Sequence, residues 1–201
     1  AVLKIALSHG FKTIIKKINI KKPSGNIQNW ARKERRRILC DIAFDLSANL
    51  LLGHHSDDQV ETIFMRSIKG SGIDGLVGMQ EKIVWNGMSI IRPLIFFNKD
   101  QIIKYIEDNK IIFFQDSSNF MLKFERVKVR KTLRDITLRN WPCISEDLIK
   151  FSFLNKMLLK KINEVFAKWV QTNLLIDSRG AIRINFKNLQ YNASEQVVRY
   201  A

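Results

Sequence analysis

The stretch Gly53-His54-His55-Ser56-Asp57-Asp58-Gln59-Val60-Glu61-Thr62 places two imidazoles and three carboxylates within eight residues. Such a set can move protons or hold a phosphate-bound Mg²⁺, and it can equally be a capped helix start with a hydrogen-bonded His pair. The zinc spacings His-x-x-Glu-His and His-Glu-x-x-His are absent, which argues against a zinc hydrolase. With Asp58 at a helix start, Glu61 lies one turn further on, on roughly the same face. Downstream, Arg126 and Arg130 stand four residues apart and can present two guanidinium groups to a phosphate, or form a solvated basic face. Arg92 before Pro93 reads as a phosphate contact or as an ordinary strand-end residue. Gly70-Ser71-Gly72-Ile73-Asp74-Gly75-Leu76-Val77-Gly78 holds four glycines in nine residues. A loop of that composition can bring its backbone close to a ligand, although no Lys-Ser/Thr follows to complete a Walker A pattern.

The surrounding periodicities say what must position these groups. Asn49 to Leu52 is an apolar run of strand length, and Ile63 to Ile68 continues with helical spacing, so the polar cluster falls where a strand gives way to a helix. Ligands of open α/β sheets sit at such strand ends, and Ser56 or Asp57 is the expected N-cap. Residues 1 to 9 read as a short helix ended by Gly10, Thr13 to Ile20 as a strand, and Asn26 to about Ala48 as a long amphipathic helix whose polar face carries Arg32, Lys33, Arg35, Arg36 and Arg37. Lys82 to Trp85 and Met88 to Ile91 form a hairpin across Asn86-Gly87. A helix follows from Lys99 to about Asp108, then a short strand at Ile111 to Phe114, and a basic helix from Met121 to about Arg134. Strands alternating with helices predict an α/β fold with a doubly wound, mostly parallel sheet over residues 1–138. Beyond Trp141-Pro142 the pattern changes to a small, mainly helical second domain, residues 139–201: one helix over 145–170, a hairpin turning at Ser178 to Gly180, and a last helix from Ser194.

Lys and Arg total 34 against 19 Asp and Glu, a net charge of +15. This excess favours a polyanionic partner, and nucleic acid above others. Cys40 and Cys143 form neither a Cys-x-x-Cys pair nor a Cys/His cluster, as expected of two reduced thiols in a cytoplasmic protein. No apolar run approaches the roughly 18–20 residues that cross a bilayer.

Taken in order, His54-His55-Ser56-Asp57-Asp58-Gln59-Val60-Glu61-Thr62, Arg66, the Gly70 to Met79 loop, Arg92-Pro93-Leu94, Asp116-Ser117-Ser118-Asn119 and Arg126-Val127-Lys128-Val129-Arg130 resemble the tRNA(Ile)-lysidine synthetase family. Ala31-Arg32 fits the same pattern one element earlier. The resemblance covers nearly the whole chain and implies the PP-loop ATP pyrophosphatase class, with an adenine nucleotide alpha hydrolase-like fold. It implies adenylation of C2 of the wobble cytidine of a tRNA(Ile) with CAU anticodon, using ATP and Mg²⁺, followed by attack of the ε-amine of free lysine. By that resemblance Asp58, Glu61 and Arg126 are catalytic, His54, His55, Asp57 and Arg92 face the nucleotide, and Asp57 and Asp58 are the Mg²⁺ ligands. The RNA surface would comprise Arg32, Arg35 and Arg36 on the first basic helix and Lys123, Lys128 and Arg130 on the second. Monomer and homodimer both stay open.

Three departures stand out. The phosphate-binding Ser-Gly-Gly-x-Asp-Ser of that class occurs nowhere in the 201 residues. Val127 stands where the family usually has Asn, and Ser117 where Pro is common. The first departure predicts that the first strand, the PP-loop and the next strand lie upstream of Ala1, that the helix running at Ala201 continues further, and that these residues alone cannot hydrolyse ATP. The alternative is a non-catalytic tRNA- or RNA-binding module derived from a PP-loop enzyme. A tRNA-thiolating relative would call for paired cysteines, and a GMP-synthetase-like amidotransferase would leave the basic helices without a role.

Overall fold

A computed structural model of the chain describes residues 2–17, 27–113, 125–176 and 182–184. They fall into two compact units, residues 1–53 with 81–93, and residues 54–80 with 94–201.

The first unit contains α1 (Val2–Ser8), α2 (Ile27–Asp45), β1 (Leu50–Leu51), β2 (Lys82–Trp85) and β3 (Met88–Ile91). The strands form a sheet in the order β1-β3-β2. β1 runs parallel to β3, with Leu50 opposite Ile90, and β2 is antiparallel to β3, so among the described residues the sheet is mixed. Asn86 and Gly87 both take positive φ, 49° and 77°, the geometry of a two-residue hairpin turn that matches strand twist. Cys40 and Ala43 on one face of α2 pack on Leu50, Met88 and Ile90. Ile90 is fully buried, which stabilises by about 1.5–3 kcal/mol relative to leaving it in water. The other face of α2 leaves Arg32, Lys33, Arg35, Arg36 and Arg37 exposed. Ser47, at φ 49°, ends the helix, and the Ala48 N–H donates back to the Ala43 carbonyl at 2.8 Å.

The second unit is mostly helical: α3 (Ser56–Ile68), α4 (Ile73–Leu76), α5 (Lys99–Asp108), α6 (Glu125–Arg139) and α7 (Ile144–Asn173), then a hairpin of β4 (Leu174–Ile176) and β5 (Ile182–Ile184). Val60 of α3, Leu133 of α6 and Ile144 of α7 form its core, with Phe64, Val129, Ile136 and Leu148 packed around them. α3 is covered on most sides, burying Gln59, Val60, Glu61, Thr62 and Ile63 in succession. Asn98 and Gln101 start α5 with reciprocal side-chain to backbone bonds of 2.8 and 2.9 Å.

Two expected strands are not found. Residues 13–17 of the predicted strand 13–20 have no strand partner among the described residues, and Ile15 stays 70% exposed. β-branched residues favour a strand only where a neighbouring strand receives them. Ile111 to Phe113 are not a strand either, because the end of α5 claims the first of them. Lys110 takes φ 51° and the Ile111 N–H closes onto the Ile106 carbonyl at 2.9 Å. Residues 18–20, Phe114, the Asp116 to Asn119 motif, Lys123, the turn at Ser178 to Gly180 and the helix expected from Ser194 lie outside the described residues.

Candidate active site

The chain leaves β1 through Gly53 and His54 and enters α3 at His55, which is the N-cap in place of Ser56 or Asp57. Asp57 cannot cap because its carboxylate is engaged elsewhere. Its Oδ2 accepts the N–H of Lys99, the first residue of α5, at 2.8 Å and lies 3.2 Å from His55 Nδ1. The capping acceptor is Asp58, whose Oδ2 takes the His55 N–H at 3.2 Å. Ser56 N–H adds a 2.8 Å bond to the Phe97 carbonyl, so the loop before α5 is tied to the start of α3 twice.

His55 therefore stands between two carboxylates, with Nε2 3.5 Å from Asp58 Oδ2. The hydrogen bond to Asp57 raises its pKa against the opposing cost of burial, and the nearby charges of Asp58, Asp57 and Glu61 add to the rise. The same bond, with the Lys99 N–H, holds the Asp57 carboxyl below its ordinary range although burial works against it. A proton shared between these groups favours the imidazolium-carboxylate form.

One turn on, Glu61 is 2% exposed. Its Oε1 accepts from Arg130 Nε of α6 at 2.8 Å. Its Oε2 has no hydrogen-bond donor among the described residues. The nearest cation there is Arg126 Nη1 at 3.7 Å, and the same Nη1 lies 3.6 Å from Asp58 Oδ1. Arg126 Nη2 reaches Thr62 Oγ1 at 3.4 Å, while that hydroxyl donates to the Asp58 carbonyl at 2.7 Å. Asp58, Glu61, Thr62, Arg126 and Arg130 thus form one partly buried network in which two carboxylates face two guanidiniums. The i, i+4 spacing of the arginines is used to meet the carboxylates of α3, although the Arg130 side chain as a whole is 46% exposed. Lys128, on the same helix, is exposed.

The backbone of the glycine-rich loop lies against the protein's own side chains. Gln59 donates to the Met79 carbonyl at 3.0 Å and accepts the Met79 N–H at 2.6 Å. Arg66 donates to the carbonyls of Gly75 and Gly78 at 2.7 and 3.1 Å, and Ser152 of α7 to that of Val77 at 2.8 Å. Gly78 takes φ +73°, and a Cβ there would sit 2.7 Å from the Gln59 amide.

Of the remaining sequence candidates, His54 immediately precedes the α3 N-cap, and Arg32, Arg35, Arg36 and Arg92 belong to the first unit. Arg92 follows β3, is buried, and donates its N–H to the Glu81 carbonyl at 2.8 Å; burial first, then the charge of Arg36, lowers its pKa. Arg32, Arg35 and Arg36 lie on the exposed face of α2. Lys123 is not among the described residues. Sequence reasoning did not single out Gln59, Thr62 or Ser152, and it used Arg66 only as part of a motif. Thr62, four residues after Asp58, had a helical-spacing signal. Ser152 and the Lys99 N–H, 75 and 42 residues from their partners, had none.

Among the described residues no three His, Cys, Asp or Glu side chains gather as a metal-ligand set. Asp57 and Asp58 supply hard oxygens of the kind Mg²⁺ takes, but Asp57 Oδ2 is occupied by the Lys99 N–H. They fit as one or two ligands of an ion otherwise held by phosphate and water.

The carboxylate site on α3 belongs to a recognisable class. The chain is a member of the PP-loop domain family, whose model matches residues 1–136. It is similar to the tRNA(Ile)-lysidine synthase of Wolbachia pipientis wMel, 41% identical over 119 residues, which are 59% of this chain and 27% of that protein. It is 35% identical over 162 residues to the tRNA(Ile)-lysidine synthase of Francisella philomiragia subsp. philomiragia, covering 78% of this chain and 40% of that one. The chain therefore spans two-fifths or less of the length of these curated relatives. The solved structure of the U34-tRNA thiolase NcsA from Methanococcus maripaludis with its 4Fe-4S cluster matches with a TM-score of 0.60 at 18% identity, over 77% of this chain and 56% of that one. That likeness establishes the α/β, adenine nucleotide alpha hydrolase-like fold.

Proposed function

We propose that this chain carries the lysine-receiving half of a tRNA(Ile)-lysidine synthetase. The enzyme adenylates C2 of the wobble cytidine of tRNA(Ile) with ATP and then joins lysine through its ε-amine with loss of AMP. The observation that carries the reading is Glu61 Oε2, a buried carboxylate oxygen without a donor among the described residues. Such an atom is costly unless a ligand supplies the missing hydrogen bond. A lysine ammonium has the right charge and size, and Asp58 Oδ1, near the same Arg126 Nη1, offers it a second acceptor. Arg126 and Arg130 balance the two carboxylates and lower the pKa of an amine placed beside them, which favours the neutral nucleophile.

His54, His55 and Arg92 remain candidates for the nucleotide side. Asp57 and Asp58 would be among the ligands of a Mg²⁺ ion, which would supply neutralisation of phosphate charge. Residues 1–138 would supply the catalytic groups and residues 139–201 a helical module. Arg32, Arg35, Arg36, Lys123, Lys128 and Arg130 would contact the RNA. Because Ser-Gly-Gly-x-Asp-Ser is absent from these residues, purified residues 1–201 with tRNA, lysine and ATP release no pyrophosphate; measurable release contradicts this. In an enzyme completed with a segment bearing that signature, Asp58→Ala or Glu61→Ala abolishes lysidine formation and leaves tRNA binding intact. Wild-type turnover in both variants removes the lysine assignment.

The second reading, a non-catalytic RNA-binding module, draws on the net charge of +15 and the exposed arginines of α2. Lysine binding separates the two.

A further inference from the structure

The first unit holds a groove of about 340 Å³ between the C-terminal half of α2 and the β2-β3 hairpin. Met88, 7% exposed, forms its floor. Phe44 and Trp85 line it yet are 67% and 42% exposed, so two aromatic rings stand in water beside one opening. Paired aromatic platforms suit the faces of unstacked nucleobases, which any base can offer.

The charges around the groove are divided in a way that suits a nucleotide. The α2 arginines lie toward one end, and the Arg36 guanidinium sits 5.7 Å from the centre of the Trp85 ring, next to where a backbone phosphate would approach. Within the groove the charge is negative. Asp41 is ion-paired with Arg37 at 3.1 Å, whereas Asp45 has no ion pair among the described residues. A free carboxylate repels phosphate and accepts hydrogen bonds from amino groups on base edges. Asn86, on the exposed hairpin turn, adds a donor and an acceptor to the same lining.

We infer that this groove receives one unstacked base of single-stranded RNA, stacked on Phe44 and Trp85, with its exocyclic amine donating to Asp45 and its phosphate beside Arg36. The inference rests on the reading that RNA is the substrate, but needs neither lysine nor ATP.

The test is fluorescence anisotropy of the full chain with labelled oligocytidylate, oligouridylate and a blunt RNA duplex at fixed salt. Phe44→Ala and Trp85→Ala should each weaken single-strand binding about 5- to 100-fold, leave duplex binding and the salt slope unchanged, and keep the wild-type circular dichroism. Trp85→Phe should restore most of the affinity. Asp45→Asn should reduce the preference for cytidylate over uridylate. Single-strand affinities within about twofold of wild type in both alanine variants overturn the inference, as does a parallel loss for duplex. A wild-type chain that binds no RNA overturns it together with the RNA substrate, whereas RNA binding without lysine binding removes only the synthetase reading.

Discussion

Arg130 of α6 donates to Glu61 of α3 across 69 residues of sequence, placing Nε 2.8 Å from Oε1 of a carboxylate that water scarcely reaches. This pair joins the two helices that frame the site. It leaves the second oxygen of Glu61 buried without a hydrogen-bond donor among the described residues.

Breaking the pair from one side strands a charge. Arg130→Met should destabilise the second unit by about 1–3 kcal/mol, because the buried carboxylate loses its donor. Glu61→Gln with Arg130→Met should cost less than the sum of the single changes, with a coupling of about 0.5–3 kcal/mol. Urea denaturation of the four proteins checks this. Additive losses would mean that the pair is not coupled.

The glycine loop supplies a backbone test. Gly78→Ala combines a left-handed φ of +73° with a Cβ 2.7 Å from the Gln59 amide, and should cost about 1–3 kcal/mol. Hydrogen exchange should show lost protection at the Met79 amide, which Gln59 holds at 2.6 Å. Unchanged protection would contradict the clamp.

The start of α3 should respond to pH with a definite sign. His55 has a raised pKa in the fold, so its contribution is complete below the unfolded value of about 6.5 and is lost as pH rises through the folded value. Asp57 has a lowered pKa, so its contribution is present above about 3.9 and is lost as pH falls through the folded value. Thermal melting should therefore be highest between these limits and decline as pH rises above about 6.5. His55→Gln should flatten that decline, and an equal decline in the variant would assign it elsewhere.

RNA affinity should fall steeply with salt if α2 contacts phosphates. Each lost phosphate contact lowers the slope of log K against log salt by about 0.7–0.9, so Arg35→Ala with Arg36→Ala should reduce it by roughly 1.4–1.8. A slope equal to wild type would remove this face from the interface.

The features legible in the sequence were those set by neighbours in sequence. Asn86-Gly87 specified its hairpin, and the apolar spacing of α2 and α7 placed both helices, because each signal spans at most a few turns. The clustering of Asp58 and Glu61 on α3 was readable for the same reason. That Arg126 and Arg130 would turn onto those carboxylates was not, since tertiary packing of α6 on α3 decides it. Nor could composition reveal that Asp57 would be claimed by a backbone N–H 42 residues away, or that the glycine loop would lie against Gln59, Arg66 and Ser152. The strand expected at residues 13–20 is not found over its described part, 13–17, because its β-branched residues there find no neighbouring strand among the described residues.

The claim that the α3 carboxylates receive lysine is tested most directly by saturation-transfer NMR of free L-lysine with the 201-residue chain. The account predicts transfer to the lysine side chain in the wild type, its loss in Asp58→Ala and Glu61→Gln, and its retention in Arg35→Ala. No transfer to the wild type, or equal transfer to Asp58→Ala, would contradict it.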